Sequence, residues 1–425
     1  MKRITALSIA CAALLAAGAQ AAFAAGPQQV VFWAALGGNN GKLLEAAVSE
    51  YNASQKEVFV KYEFQGDYTA TEQKFAAAIA AGAVPDLVML EISRIPGFAY
   101  RKAIKPLDDL AKKYKLPKED IPAALLGEST IDGKLYSLPQ SRSMPVFYYN
   151  KDMLRAAGLP DKAPETWAEL RKAAIAMTNK AEGRYGFGLQ IGNPFWYFSN
   201  AVEGNGGTIS VRKNGVDTPT FNDPAGVAGL KFWYDLVNAD GGGRIYPGQG
   251  LATWEALQAD FISGKVGMMF ITTGWMGNIV KNSKFDVGVG MLPVGPGGVR
   301  KAPTGGNGIV IPAKAKAKNQ DAAFKFLMWL SDTPQTSKWA MQTGYMPLRL
   351  SALGDPQMTK YFETNPAFKV AVEQMRWVSA FPGIKMNPKT EPALNVLWER
   401  IFVANEDVKK VCDEVAAQIA GFMKE

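Results

Sequence analysis

The chain has 425 residues, 48% of them hydrophobic, and a formal net charge of +8. It contains no histidine, which excludes Ser-His-Asp and Cys-His catalysis, histidine-ligated zinc and histidine-based pH switching. Carboxylate-based hydrolysis stays open, because Asp and Glu together number 39 and glycoside cleavage needs only a facing carboxylate pair.

Residues 1–24 begin with Lys2 and Arg3, continue through an Ala/Leu-rich stretch and reach small residues at Ala21 and Ala24. This is the layout of a cleaved secretory signal, too short and alanine-rich for a stable membrane span. Cys11 lies too early in that segment to be a lipid-attachment site, so the mature chain is expected to be soluble. Loss of Lys2 and Arg3 would leave a charge of +6 and a single thiol, Cys412, so no internal disulfide is expected. The remaining residues, about 400, exceed one comfortable core, and two lobes are the expectation. The only basic run, Lys314 to Lys318, is short, and no nucleic-acid partner is expected.

The run FWAALGGNNGK (32–42) has the outline of a phosphate loop, but Leu36 and Leu43 stand where that motif needs glycine and Ser or Thr. It reads instead as strand, glycine-rich turn and helix start. The helix over 41–53 should bury Leu44, Val48 and Tyr51. VFVKYEF is a second strand, TATEQKFAAAIAAG a helix stopped by Gly82, and PDLVMLE a third strand. Strand and helix alternating through short connections predict an α/β layer with parallel pairing. Ligands of such sheets sit outside the carboxyl ends of the strands, here GGNN (37–40), GDY (66–68) and Glu91. YSLPQSRSMPVFYYN (136–150) suits a chain crossing between lobes. A second α/β region follows, then the strands VGMMFIT, FDVGVGMLP and GIVIPAK and a mainly helical remainder.

DFISGKVGMMF (260–270), APETWAEL (163–170), FKFLMWLSDTPQTSKWA (324–340) and TGYMPL (343–348) together resemble extracellular solute-binding protein family 1. AIKPL (103–107), SMPVFYYNKDMLRAAGL (143–159) and FDVGVGMLP (285–293) are most similar to its group for sn-glycerol 3-phosphate and glycerophosphodiesters. The resemblance implies a periplasmic binding protein fold, two α/β lobes joined by a hinge with the ligand cleft between them. It divides the chain into an amino-terminal lobe (25–138 and 276–331) and a carboxy-terminal lobe (139–275 and 332–425). It also implies a monomer in the periplasm that has no catalytic residues, cofactor or metal and delivers a small-molecule ligand to an ABC permease.

Carried over residue by residue, the resemblance places ligand contacts at Tyr68, Glu91, Ser143, Thr272, Gly306 and Tyr345, with Trp196 as the stacking tryptophan. Glu91 would accept from ligand hydroxyls and Tyr68 would add an aromatic face. Ser143, Thr272, Tyr345 and the Gly306 amide would donate to phosphate oxygens. Thr273, Trp275, Asn39 and Asn40 are secondary candidates. The group's phosphate-binding arginine has no counterpart in FPGIKMNPKTEPAL, so Lys385, Asn387 or Lys389 would have to stand in, and lysine lacks the planar guanidinium fork. A phosphodiester, with one charge fewer than a monoester, suits such a site better. Two alternatives remain open: an uncharged sugar or oligosaccharide held by stacking, and a secreted glycosidase, for which Glu91 is the only carboxylate placed in the cleft.

Overall fold

Ten strands forming two five-stranded sheets organise the chain. They are β1 (Gln28–Ala34), β2 (Val58–Phe64), β3 (Leu87–Glu91), β4 (Ser137–Ser143), β5 (Pro145–Asn150), β6 (Tyr185–Gln190), β7 (Gly243–Tyr246), β8 (Val266–Thr272), β9 (Val287–Gly290) and β10 (Gly305–Val310). The computed structural model describes residues 26–191, 195–213, 216–248, 251–379, 387 and 389–424, so the expected signal segment lies outside the described residues.

The first sheet has the order β2-β1-β3-β10-β4. β1 pairs in parallel with β2 and β3, whereas β10 is antiparallel to both β3 and β4. Val30, Phe32 and Ala34 alternate into the core, while Leu87 to Leu90 are all buried, the pattern of a strand covered on both faces. The helix Gly38–Ser54 buries Leu44, Val48 and Tyr51 at the expected spacing. Asp67 caps the helix Tyr68–Ala81 by accepting from the Ala70 amide, and Gly82 ends it at φ +69°.

The second sheet has the order β7-β6-β8-β5-β9. Its main helix entry is a capping box, in which Thr166 accepts from the Glu169 amide and Glu169 reaches back to the Thr166 amide. Trp167, Phe187, Trp233 and Phe270 pack as a buried aromatic cluster behind it. The carboxy-terminal helix Val408–Phe422 buries Val411, Cys412, Val415 and Ile419. Burial, and then Asp413, push the Cys412 thiol up to about 12.

Sheet membership shifts two expected boundaries. The chain crosses between sheets at Met144, so Pro139 to Ser143 stay with the first sheet. The return falls after β9, because Val287–Gly290 pairs with β5 in the second sheet and not with the first as a boundary at 276 required. The reason is spatial: a Cβ at Gly288 would lie 2.0 Å from the Tyr149 ring and one at Gly290 2.3 Å from Ala163 Cβ. Those glycines seat a specific neighbour, and hydropathy alone does not report which.

Gln374 joins the crossing to the helical remainder. Fully buried, it donates to Pro145 O at 2.7 Å and accepts from the Leu292 amide at 2.7 Å. Gln374→Leu keeps the volume but orphans both backbone groups, and should cost about 2 kcal/mol in urea unfolding. An unchanged midpoint would show that the crossing does not depend on this side chain.

Candidate functional site

Strand direction gathers the site. The carboxyl ends of parallel β1, β2 and β3, the start of β10 and the end of β4 share one edge of the first sheet. Register sets Glu91 opposite Asn307 and Ser143 opposite Gly305. The matching edge of the second sheet has Thr272 opposite Pro145, one residue beyond Met144. Both edges therefore converge on the crossing.

Tyr68 opens its helix, and its hydroxyl accepts from Asn307 Nδ2 at 3.0 Å. Asn307 Oδ1 in turn accepts from the Ser141 amide at 3.3 Å, so one amide links the phenol to β4. Burial, with Tyr345 and Glu91 nearby, pushes the Tyr68 phenol well up, while Asn307 and Arg142 pull it down. Tyr68, Glu91, Tyr345, Asn307 and Arg142 thus share one electrostatic environment. Glu91 Oε2 accepts from the Ser93 amide at 2.9 Å and from the Ser93 hydroxyl. One carboxylate oxygen therefore holds the turn, and the carboxylate keeps acceptor capacity for a ligand hydroxyl.

Tyr345 lies between Gly274, whose missing Cβ would be 2.9 Å from its ring, and Trp339, stacked with centroids 6.1 Å apart. Burial pushes its phenol up to about 12, against the Asn40 amide beside it. Met346 donates to Arg142 O at 2.8 Å, so the TGY turn is stitched to β4. Asn40 is half-buried at this point, and Asn39 is exposed. Gly306, at φ +99° and with Ser141 O 1.9 Å from where a Cβ would sit, cannot take a side chain without moving β4.

Across the crossing, Thr272 Oγ1 accepts from the Gly274 amide at 3.0 Å, and the Thr273 amide donates to Met144 O at 2.9 Å. The Thr273 hydroxyl is buried with no partner among the described residues. Trp275 is half-buried against the core. Trp196 Nε1 donates to Thr304 O at 3.0 Å, and its ring covers Gly305, where a Cβ would be 2.4 Å from Cζ2.

Two of the expected stand-ins for a phosphate-binding arginine make contacts with the carboxy-terminal helix. Asn387 Nδ2 donates to Phe422 O at 3.0 Å, and Lys389 Nζ lies 5.3 Å from the centre of the Phe422 ring. Both are drawn to the carboxy-terminal helix; Lys385 lies outside the described residues. Among the described residues, Arg142 and Arg94 are cations beside the cluster that sequence reasoning missed. Arg142 is fully buried and paired with Glu128, and Arg94 lies 3.6 Å from Glu72 and 3.4 Å from Glu391. Arg142 sits in a Gln-Ser-Arg-Ser run that reads as solvated, although the whole run is buried. The only sequence signal was the glycine pair at 305–306, which marks a close approach of strands.

Among the described residues no helix is long and apolar enough to cross a membrane, and no group of three Cys, Asp or Glu is arranged to hold a metal. A family model for bacterial extracellular solute-binding protein matches residues 46–370. The sn-glycerol-3-phosphate-binding periplasmic proteins UgpB of Pectobacterium atrosepticum and Agrobacterium fabrum are each 29% identical. The first alignment covers 87% of this chain and 83% of the relative, the second 93% and 92%. The structure of UgpB from Mycobacterium tuberculosis in complex with glycerophosphocholine superposes with a TM-score of 0.83 at 26% identity, covering 94% of this chain and 99% of the other. The cyclic alpha-maltosyl-1,6-maltose binding protein from Arthrobacter globiformis has the same fold, with a TM-score of 0.81 at 24% identity over 94% of this chain and 100% of that one. With its two α/β lobes and a cleft at their shared crossing, the chain belongs to the bacterial extracellular solute-binding protein family.

Proposed function

We propose that the chain captures a glycerophosphodiester, such as glycerophosphocholine, in the periplasm and delivers it to the permease of an ABC importer. The observation that carries this reading is the charge state of the cleft. Among the described residues its neutral donors and the Glu91 carboxylate cluster around Tyr68 and Tyr345, while Arg142 is matched by Glu128 and Arg94 by Glu72 and Glu391. A dianionic monoester calls for an uncompensated cation, whereas a monoanionic diester can be held by hydroxyl and amide donors. Glu91 then takes the vicinal hydroxyls of the glycerol, and Ser143, Thr272, Tyr345 and Gly306 take the phosphate. The glycerophosphocholine-bound relative supports the ligand class. Closure of the two lobes on this ligand is what the permease reads. The half-exposed Trp196 ring over Gly305 favours a second reading, a sugar stacked on that surface.

Calorimetric titration of the mature chain with glycerophosphocholine, sn-glycerol 3-phosphate and maltose separates these readings. The expected result is binding of glycerophosphocholine at about micromolar Kd, near −8 kcal/mol, weaker binding of the monoester and none of maltose. Maltose-only binding would overturn the diester assignment, and turnover of any ligand would overturn the binding-protein reading. Tyr345→Phe should weaken the diester about tenfold through loss of one donor to an anionic group. Because the folded Tyr345 phenol titrates near 12 and an unfolded one near 10, its share of stability is complete below about pH 10 and is lost as pH rises through the folded value. Urea midpoints at about pH 9 and pH 11 should therefore fall further in the wild type than in Tyr345→Phe. Equal losses would place the Tyr345 hydroxyl in water.

A further inference from the structure

Arg142 sits beneath the cleft glycines, one residue before Ser143. Its Nε donates to Gly305 O at 3.0 Å and its Nη2 to Thr304 Oγ1 at 2.9 Å. Nη2 also pairs with Oε2 of Glu128, and the Thr304 hydroxyl donates to the other carboxylate oxygen. Arginine, threonine and glutamate therefore form a closed ring, with Arg142 fully buried and the Glu128 side chain 3% exposed. Nη1 is buried without a partner among the described residues.

Such a pair is a poor source of net stability, because desolvating both ions offsets their attraction. Its effect is geometric. A planar guanidinium that holds Thr304 and Gly305 at once fixes the orientation of two successive residues, which an ammonium cannot do. Those residues lead directly to the cleft surface: Thr304 O accepts from Trp196, Gly305 lies under the Trp196 ring, and Gly306 takes the left-handed conformation next in line. The charge is also close enough to bear on the Tyr68 phenol.

We propose that Arg142, clamped by Glu128 and Thr304, is a positioning residue that holds the Thr304–Gly306 segment and Trp196 in the geometry that receives the ligand. The affinity part rests on the cleft reading above, taking Gly306 and Trp196 as ligand-facing; the backbone part needs no ligand. Preorganisation of this kind raises affinity by removing the ordering cost at binding.

The test uses Arg142→Lys, which keeps the charge beside Glu128 but not the fork, and Thr304→Val, which removes only the hydroxyl. Both are titrated with whichever of glycerophosphocholine, sn-glycerol 3-phosphate or maltose the wild type binds, so a wrong ligand class does not decide the outcome. Affinity should fall about tenfold in Arg142→Lys and about threefold in Thr304→Val, and the double variant should be no weaker than Arg142→Lys alone. Hydrogen exchange of the ligand-free protein should rise in peptides spanning 301–310 and nowhere else. Wild-type exchange in that segment overturns the proposal; if affinity still falls, Arg142 is a direct ligand contact. A rise across both lobes overturns it too, by making the pair a prop of the whole fold. Should Arg142→Lys not fold, Thr304→Val carries both readouts.

Discussion

A single extended run, Ser137 to Asn150, serves both sheets, and the rest of the molecule is arranged around its break at Met144. Seven residues before the break hydrogen-bond in the first sheet and six after it in the second. No side of this run faces solvent, so every backbone group in it needs a protein partner. Those partners come from far along the chain: Thr273 to Met144, Gln374 to Pro145 and Met346 to Arg142. The candidate-site ends of the two sheets meet at this point because the crossing is where two sheets with different helices come within one residue of each other.

The same burial sets the electrostatics of the cleft. Taken out of water, a charge either finds an opposite charge or carries a large penalty. Arg142 and Glu128 meet that condition internally, and the half-exposed Arg94 is shared between Glu72 and Glu391, so among the described residues both cations are matched and the Tyr68–Tyr345 cluster is otherwise polar and neutral apart from Glu91. Selectivity in such a cleft comes from where donors and acceptors are placed more than from net field. That is consistent with one fold serving both a UgpB solved in complex with glycerophosphocholine and a cyclic alpha-maltosyl-1,6-maltose binding protein.

Much of this was legible in the sequence where the information is local. The spacing of Leu44, Val48 and Tyr51, the stop at Gly82, the Thr166 cap and the apolar run ending at Glu91 all report on neighbours a few residues away. The family resemblance, borne out by the family model, led to Tyr68, Glu91, Ser143, Gly306 and Tyr345, which converge in space. What stayed hidden depends on partners outside the local window, 35 residues away for Asn387 and 239 for Asn307. Arg142 meets Thr304 and Gly305, and Asn307 reaches Tyr68, through strand register that hydropathy does not encode. β9 joined the wrong lobe for the same reason, its glycines being shaped to Tyr149 and Ala163. Asn387 and Lys389 looked available because their partner, Phe422, is an ordinary apolar residue on a remote helix.

The buried Cys412 has a practical corollary. Its thiol is fully enclosed and held far above neutral titration, so it does not offer the thiolate that alkylating dyes attack. Among the described residues there is no other cysteine. A single cysteine introduced at an exposed position, Asn39 for example, would be the one a fluorophore could label among the described residues. Lobe closure could then be read optically without first removing the native cysteine.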